Sequence, residues 1–416
     1  LKRTFTALAI RSPLMLRKII ICSILFSHTV QAEKDNDYFD PIDGQFDMGH
    51  YLAENAYGFL PVPVIITEPA VGVGGGVVGL FLHESDEEKA HRQEQAMASL
   101  DGGAKLIPPA ITAVGALATD NGSWFAFAGH RHSWKQDHIR YTAIGGAGEV
   151  NFDLYSTLGG LLPVEQPLQF DTQTTAAFAS QKLLFRIPDT SLMLGVKQFW
   201  AQSSISSSNQ VVDWIFEKAL GDHNTTSGLG LAAEYDTRDN MFYPSEGYLL
   251  SAEYMSYNKA MGSDYLYDSL EVSGQSFWPV ADKWTLAVAG DYQAFYAKDD
   301  ALPPTVKPYI DLRGVSSYRY QGDQVATLQT QIMYHLNNRW TLSGFYGLGY
   351  AVQNNELLSS STQANSITES SSDELISAYG VGFRYQIARR YGIHMGVDVA
   401  FSEEESALYF KVGSGF

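Results

Sequence analysis

Apolar residues alternate with small or polar ones through the last third of the chain. In 391–402, Ile393, Met395, Val397, Val399 and Phe401 share one parity, and His394, Gly396, Asp398 and Ala400 share the other. In 374–387, Leu375, Tyr379, Val381, Phe383, Tyr385 and Ile387 oppose Gly380, Gly382, Arg384 and Gln386. In 282–297, Trp284, Leu286, Val288 and Tyr292 oppose Asp291 and Gln293. A period of two residues is a strand signal, because successive side chains leave opposite faces of the backbone. A helical wheel would scatter each of these sets.

The same grammar runs back towards the N-terminus. Segments rich in Tyr, Phe, Val, Leu and Gly are separated by turns of Asn, Asp, Gly, Pro and Ser. Strands are expected near 60–67, 71–84, 109–119, 122–134, 138–152, 168–186, 190–205, 224–237, 247–258, 264–279, 282–297, 324–336, 339–352, 374–387, 391–402 and 405–416. That makes about 16, an even number, as bacterial outer-membrane barrels have, and most segments reach the roughly 9–11 residues that a spanning strand needs. Charged residues are only 18% of the chain, below the roughly 25% of soluble domains. No run of about 20 apolar residues exists, which excludes a helical membrane bundle. The nearest, 58–82, is broken by Pro61, Pro63, Glu68, Pro69 and the glycines Gly72, Gly74, Gly75, Gly76 and Gly79; it reads as two strands about a Glu68-Pro69 turn.

The first 32 residues differ. Their only charges are Lys2, Arg3, Arg11, Arg17 and Lys18, and the apolar run Ile19 to Phe26 leads to Val30-Gln31-Ala32. This pattern reads as a secretory signal peptide (1–32) cleaved after Ala32. The one cysteine, Cys22, falls inside it, so no disulfide framework is available. The whole chain carries a net charge of −18; removing those five basic residues makes the remainder more acidic still. Such acidity argues against a nucleic-acid partner. Residues 33–57 form a short acidic segment, expected in the periplasm, and 58–416 form the barrel.

With residue 33 in the periplasm, the connections 153–167, 206–223, 298–323 and 353–373 face outside, and Lys135-Gln136-Asp137, Ile187-Pro188-Asp189, Val280-Ala281 and Asn337-Asn338 are periplasmic turns. Long outer loops and short inner turns are the outer-membrane pattern. The charged connection 85–108 is too long for this rule and the turn 120–121 is too tight. The Ser-rich stretch 359–372 is a low-complexity loop.

Three stretches resemble the BamA/TamA superfamily of outer-membrane barrels, the bacterial surface antigen family. One is Gly230-Leu231-Ala232-Ala233-Glu234-Tyr235-Asp236-Thr237-Arg238-Asp239-Asn240 with Tyr243-Pro244-Ser245-Glu246-Gly247. The second, Leu312-Arg313-Gly314-Val315-Ser316-Ser317-Tyr318-Arg319-Tyr320-Gln321-Gly322, is similar to the family's long sixth loop, here between strands 11 and 12. The third joins Gly380-Val381-Gly382-Phe383-Arg384-Tyr385 to Gly396-Val397-Asp398-Val399-Ala400 and the aromatic end, Phe416. The resemblance implies that this loop folds into the lumen, with Arg319 as its tip arginine and Arg313 in a rival register. It also implies an inward acidic partner, for which Asp398 has the right parity. Phe416 would be the aromatic assembly signal read during insertion. Members of the family carry periplasmic POTRA domains; residues 33–57 are too short for one.

Enzyme signals are sparse. Gly74, Gly76 and Gly79 fit G-x-G-x-x-G, but no βαβ unit surrounds them. His130 and His132 could hold a metal only with a third ligand, and His394 reads as a lumen-lining polar residue. No cofactor and no metal is implied. The leading expectation is therefore a non-enzymatic barrel in outer-membrane biogenesis or transport, without its own POTRA domains. Its expected partners are outer-membrane lipid, lipopolysaccharide and the assembly machinery; the client is open. A channel for small polar solutes or cations is the alternative, and a surface hydrolase a lesser one.

Overall fold

A computed structural model describes residues 38–55, 58–98, 110–156, 168–220, 223–298, 302, 304–352, 374–403 and 405–414. The expected signal peptide, the Ser-rich stretch and Phe416 lie outside the described residues.

The strands are β1 (Phe59–Glu68), β2 (Gly72–His83), β3 (Ala110–Thr119), β4 (Trp124–Trp134), β5 (Ile139–Ser156), β6 (Leu168–Arg186), β7 (Leu192–Ser207), β8 (Asn224–Asp236), β9 (Gly247–Tyr257), β10 (Tyr267–Ala281), β11 (Trp284–Ala297), β12 (Gln324–His335), β13 (Trp340–Val352), β14 (Glu374–Ala388), β15 (Ile393–Ser402) and β16 (Ser406–Val412). They form one 16-stranded sheet in sequence order, each strand antiparallel to the next. The sheet curls until β16 lies beside β1, giving a nearly closed barrel. Each expected strand is present, with ends shifted by a few residues.

Parity decides which side of the wall each residue takes. On β13, Trp340, Leu342, Tyr346, Leu348 and Tyr350 are exposed, while Thr341, Ser343, Phe345, Gly347, Gly349 and Ala351 face the buried interior. The exposed row is predominantly apolar; Leu375 and Val381 on β14 keep 68% and 63% of their surface open. An apolar outer face and a polar, small-residue inner face suit lipid outside and a polar lumen inside. The ladders satisfy the backbone within the wall, as hydrocarbon requires.

The two barrel ends differ. Six connections at one end span ten residues or fewer, among them 135–138, 187–191, 282–283, 336–339 and 389–392. The seventh, the over-long one, holds helix α2 (Asp86–Ala98), which follows α1 (Gly49–Asn55) in chain order. Ser85 and Glu88 form a capping box at its start, each side chain bonding the other's backbone N–H. Helix α1 also sits at this end, where Leu52, Ala53 and Ala96 bury against Ala388, Tyr391 and Ile393. A third helix, α3 (Gln210–Leu220), lies in the β7–β8 connection at the opposite, long-loop end.

Candidate functional site

The connection between β11 and β12 doubles back as a hairpin. Ile310 N donates to Tyr320 O at 2.9 Å, Gly322 N donates to Pro308 O at 3.1 Å, and Tyr309 bridges Gln321. Ile310, Leu312 and Val315 bury with Val325, Ala351 and Ala378 on the inner faces of β12–β14. Gly347 and Gly349 leave the space that Leu312 and Ile310 fill. Gly314 turns the tip with φ of +94°, a conformation that costs other residues dearly. Its N–H donates to the Tyr409 hydroxyl of β16 at 2.9 Å.

Arg313 is the residue that engages the wall carboxylate. Its Nη1 donates to Asp398 Oδ2 at 3.0 Å and to Gln331 Oε1 at 2.9 Å, and its guanidinium lies 3.5 Å from the Phe345 ring centroid. Arg384 holds the same carboxylate through two bonds, at 2.6 and 2.9 Å. Asp398 is fully buried, and the register seats it directly opposite Gly382, where a Cβ would overlap its Oδ1. A bidentate guanidinium on a desolvated carboxylate is the strong form of an ion pair.

Arg319, the expected partner of Asp398, is placed elsewhere. It bonds Glu405, in the β15–β16 turn, which also accepts from Ser316 N and Oγ at 2.9 and 2.7 Å. The left-handed turn falls at Gly314, so Arg313 is carried inward, whereas Arg319 lies on the return limb of the hairpin. Ser317 donates from N and Oγ to Glu68, the last residue of β1, at 3.4 Å. One hairpin tip thus touches both strands that flank the β1/β16 seam.

That seam carries no ladder among the described residues. Proline chemistry gives a reason. Leu82 N donates to Gly58 O at 2.8 Å, and in the same register Leu60–Leu80 and Val62–Val78 are the hydrogen-bonded pairs. The backbone nitrogens of Pro61 and Pro63 therefore point away from β2, towards β16, and carry no hydrogen. On the other side, Gly413 N donates to His394 O at 2.9 Å. The register then turns the N–H groups of Ser406, Leu408, Phe410 and Val412 towards the seam. β16 offers a full edge; β1 offers one with two donors deleted.

A second charged cluster closes the short-turn end and is not anticipated from the sequence. Arg339, in the β12–β13 turn, is 3% exposed and surrounded by carboxylates of the N-terminal segment. It donates to Asp40 at 2.6 Å, to Asp43 at 2.6 and 3.1 Å, and to Asp47. Arg339 holds the Asp43 carboxyl below the ordinary carboxylate range. Burial opposes the charge on Arg339, but its bonds to Asp43 and Asp47 outweigh this and raise its pKa. Met48 N donates to Ile387 O at 2.6 Å, and Arg390 caps α2 through Ala96 O and Met97 O at 2.8 and 2.7 Å.

The remaining candidates separate from these clusters. His130 and His132 lie on the exposed side of β4; Thr112 links His83 and His130 at 2.8 and 2.9 Å, and His132 stacks on Trp134. Among the described residues no group of three His, Cys, Asp or Glu side chains gathers as a metal site. His394 stacks at 3.8 Å on Tyr243. The inner wall from β5 to β9 carries paired charges: Arg140 on Glu234, and Lys182 and Lys197 on Glu253.

The Omp85 superfamily domain model matches residues 168–413. No curated protein matches the sequence. Among solved structures, the chain is similar to the crystal structure of BamA from Haemophilus ducreyi lacking POTRA domains 1–3. Identity is 10% and the TM-score 0.56, over 86% of this chain and 70% of that one. It is similar to CdiB from Escherichia coli at 10% identity and a TM-score of 0.51, over 86% of this chain and 62% of that one. CdiB from Acinetobacter baumannii gives 12% and 0.50, over 85% and 59%. At these identities the likeness is one of fold, and the chain spans about three-fifths of each CdiB chain.

Proposed function

The chain belongs to the Omp85 superfamily of outer-membrane barrels, and we propose that it works in outer-membrane biogenesis by lending the free edge of β16 to the strands of an incoming polypeptide. The observation that carries this reading is the seam. Among the described residues, fifteen strand pairs are laddered and the sixteenth contact, β1 with β16, is not. An unladdered edge is a template for another strand, since backbone N–H and C=O groups there lack partners that lipid cannot supply.

In this reading the β11–β12 hairpin occupies the lumen. Arg313, Asp398 and Arg384 form the latch that keeps it there. The tip contacts to Glu68 and Glu405 hold the two flanking strands together until a client arrives. Residues 33–57 act as a periplasmic segment clamped to the short-turn end of the barrel by Arg339. The outer-membrane assembly machinery inserts the protein itself, with Phe416 in the terminal signal. Lipid and lipopolysaccharide surround the apolar wall.

The test is reconstitution. Vesicles containing the purified protein should speed the integration of a small urea-unfolded barrel, scored by protease protection, relative to empty vesicles. Equal rates would contradict the reading. The charged inner wall favours one second reading, a channel for small polar solutes or cations. That reading predicts solute-driven vesicle swelling with no effect on client integration.

A further inference from the structure

Residues 39–46 fold into a knuckle with two unlike sides. Asp40, Asp43 and Asp47 turn to Arg339. The other side presents Phe39, Ile42 and Phe46, which are 53%, 56% and 42% exposed. Phe39 meets Phe46 edge-on with ring centroids 6.5 Å apart. Three large apolar side chains open to solvent within eight residues mark a contact surface rather than random exposure.

Position says what the contact is. Phe46 O accepts from the Tyr385 hydroxyl at 2.6 Å. Tyr385 belongs to the exposed, apolar row of β14, shared with Val381 and Phe383. Its ring lies 4.9 Å from Trp340, which is 5.8 Å from Phe383. These aromatics stand at the short-turn end of the wall, where an aromatic girdle marks the boundary between hydrocarbon and headgroups. The knuckle therefore continues the lipid-facing surface past the last strand residues, instead of hanging beneath the lumen.

We propose that Phe39, Ile42 and Phe46 seat in the headgroup layer of the membrane leaflet that adjoins the short turns. The occupant is the bilayer itself, because the surface is continuous with the lipid-facing girdle and its carboxylates are gathered on Arg339. Aromatic and aliphatic side chains at this depth bury part of their apolar surface while the backbone stays wet. The N-terminal segment is then fastened twice, by Arg339 to the barrel and by its apolar side to the membrane. This holds whatever the barrel transports.

The experiment reads depth. Cys22, the single cysteine, is replaced by Ser, and a nitroxide is placed at Ile42→Cys in nanodiscs of phosphatidylethanolamine and phosphatidylglycerol. Leu342→Cys, on the exposed row of β13, reports lipid; Asp282→Cys, exposed in the β10–β11 turn, reports water. The ratio of oxygen to nickel-chelate collisions at Ile42 should be several-fold above that at Asp282 and approach that at Leu342. Phe46→Cys should follow it. A ratio equal to that at Asp282 overturns the proposal. So does a label shielded from both reagents, which would mean that protein covers the knuckle.

Discussion

Arg313 donates to Asp398 at 3.0 Å across 85 positions of sequence, onto a carboxylate that Arg384 already holds from its own hairpin partner strand. The loop arginine therefore docks on a pre-paired site. Without Arg313, Asp398 keeps its two bonds to Arg384, whereas Arg313 takes its carboxylate contact from Asp398 beside a single bond to Gln331.

This asymmetry orders the mutants. Asp398→Ala leaves two buried guanidinium groups facing each other and should cost about 3–5 kcal/mol. Arg313→Ala leaves Asp398 on Arg384 and should cost roughly 1–3 kcal/mol, the scale of one lost buried hydrogen-bonding group. Arg319→Ala removes a partly exposed pair with Glu405 and should cost about 0–1 kcal/mol. The Arg313/Asp398 double mutant should be less than additive. Urea midpoints in lipid vesicles measure all four; simple additivity would separate the two residues.

The Arg339 clamp sets an acid limit. Asp43 titrates below its ordinary 3.8 in the folded chain. A depressed carboxyl contributes stability above its unfolded pKa and loses it as the pH falls through the folded one. Protease resistance of residues 38–48 should thus be constant from neutrality to just above pH 4 and fall below it. Arg339→Gln should remove the protection already at pH 7. Equal protection in the variant would show that Met48, Leu52 and Ala53 hold the segment without the clamp.

Much of this was readable in the residues. Alternation such as Ile393/Met395/Val397 marks strands because a wall between lipid and lumen imposes opposite polarity on its two faces. The same parity alone turns Asp398 inward. The choice between Arg313 and Arg319 is not readable from the sequence, since it depends on where a hairpin turns; Gly314 and Tyr318 both take positive φ, and only Gly314 is a residue whose type announces it. The capping box Ser85-Asp86-Glu87-Glu88 could have revealed α2. The Arg339 clamp joins Asp40, Asp43 and Asp47 to a turn almost 300 residues away, and nothing in either stretch alone announces the other. Pro61 and Pro63 speak in the sequence only against a helix; which strand edge they disable depends on the β1–β2 register.

Packing beneath the loop gives a further prediction. Gly349 accepts Ile310, and a Cβ there would overlap its Cγ2. Gly349→Val should push the hairpin off β13, with an overpacking cost of about 1–3 kcal/mol. Single-channel records in planar bilayers should become noisier. Gly344→Val, on the exposed side of the same strand, should leave the trace unchanged. Equal effects of the two substitutions would mean that the hairpin does not rest on this face.

The most direct test of strand addition at the seam is site-specific photocrosslinking in growing cells. A benzophenone amino acid is placed at three residues of the exposed face, Phe410 on β16, Ile65 on β1 and Val196 on β7. The account predicts adducts with newly exported outer-membrane polypeptides at Phe410, fewer at Ile65 because Pro61 and Pro63 weaken that edge, and none at Val196. Adducts spread evenly over the three positions, or absent from Phe410, would contradict it.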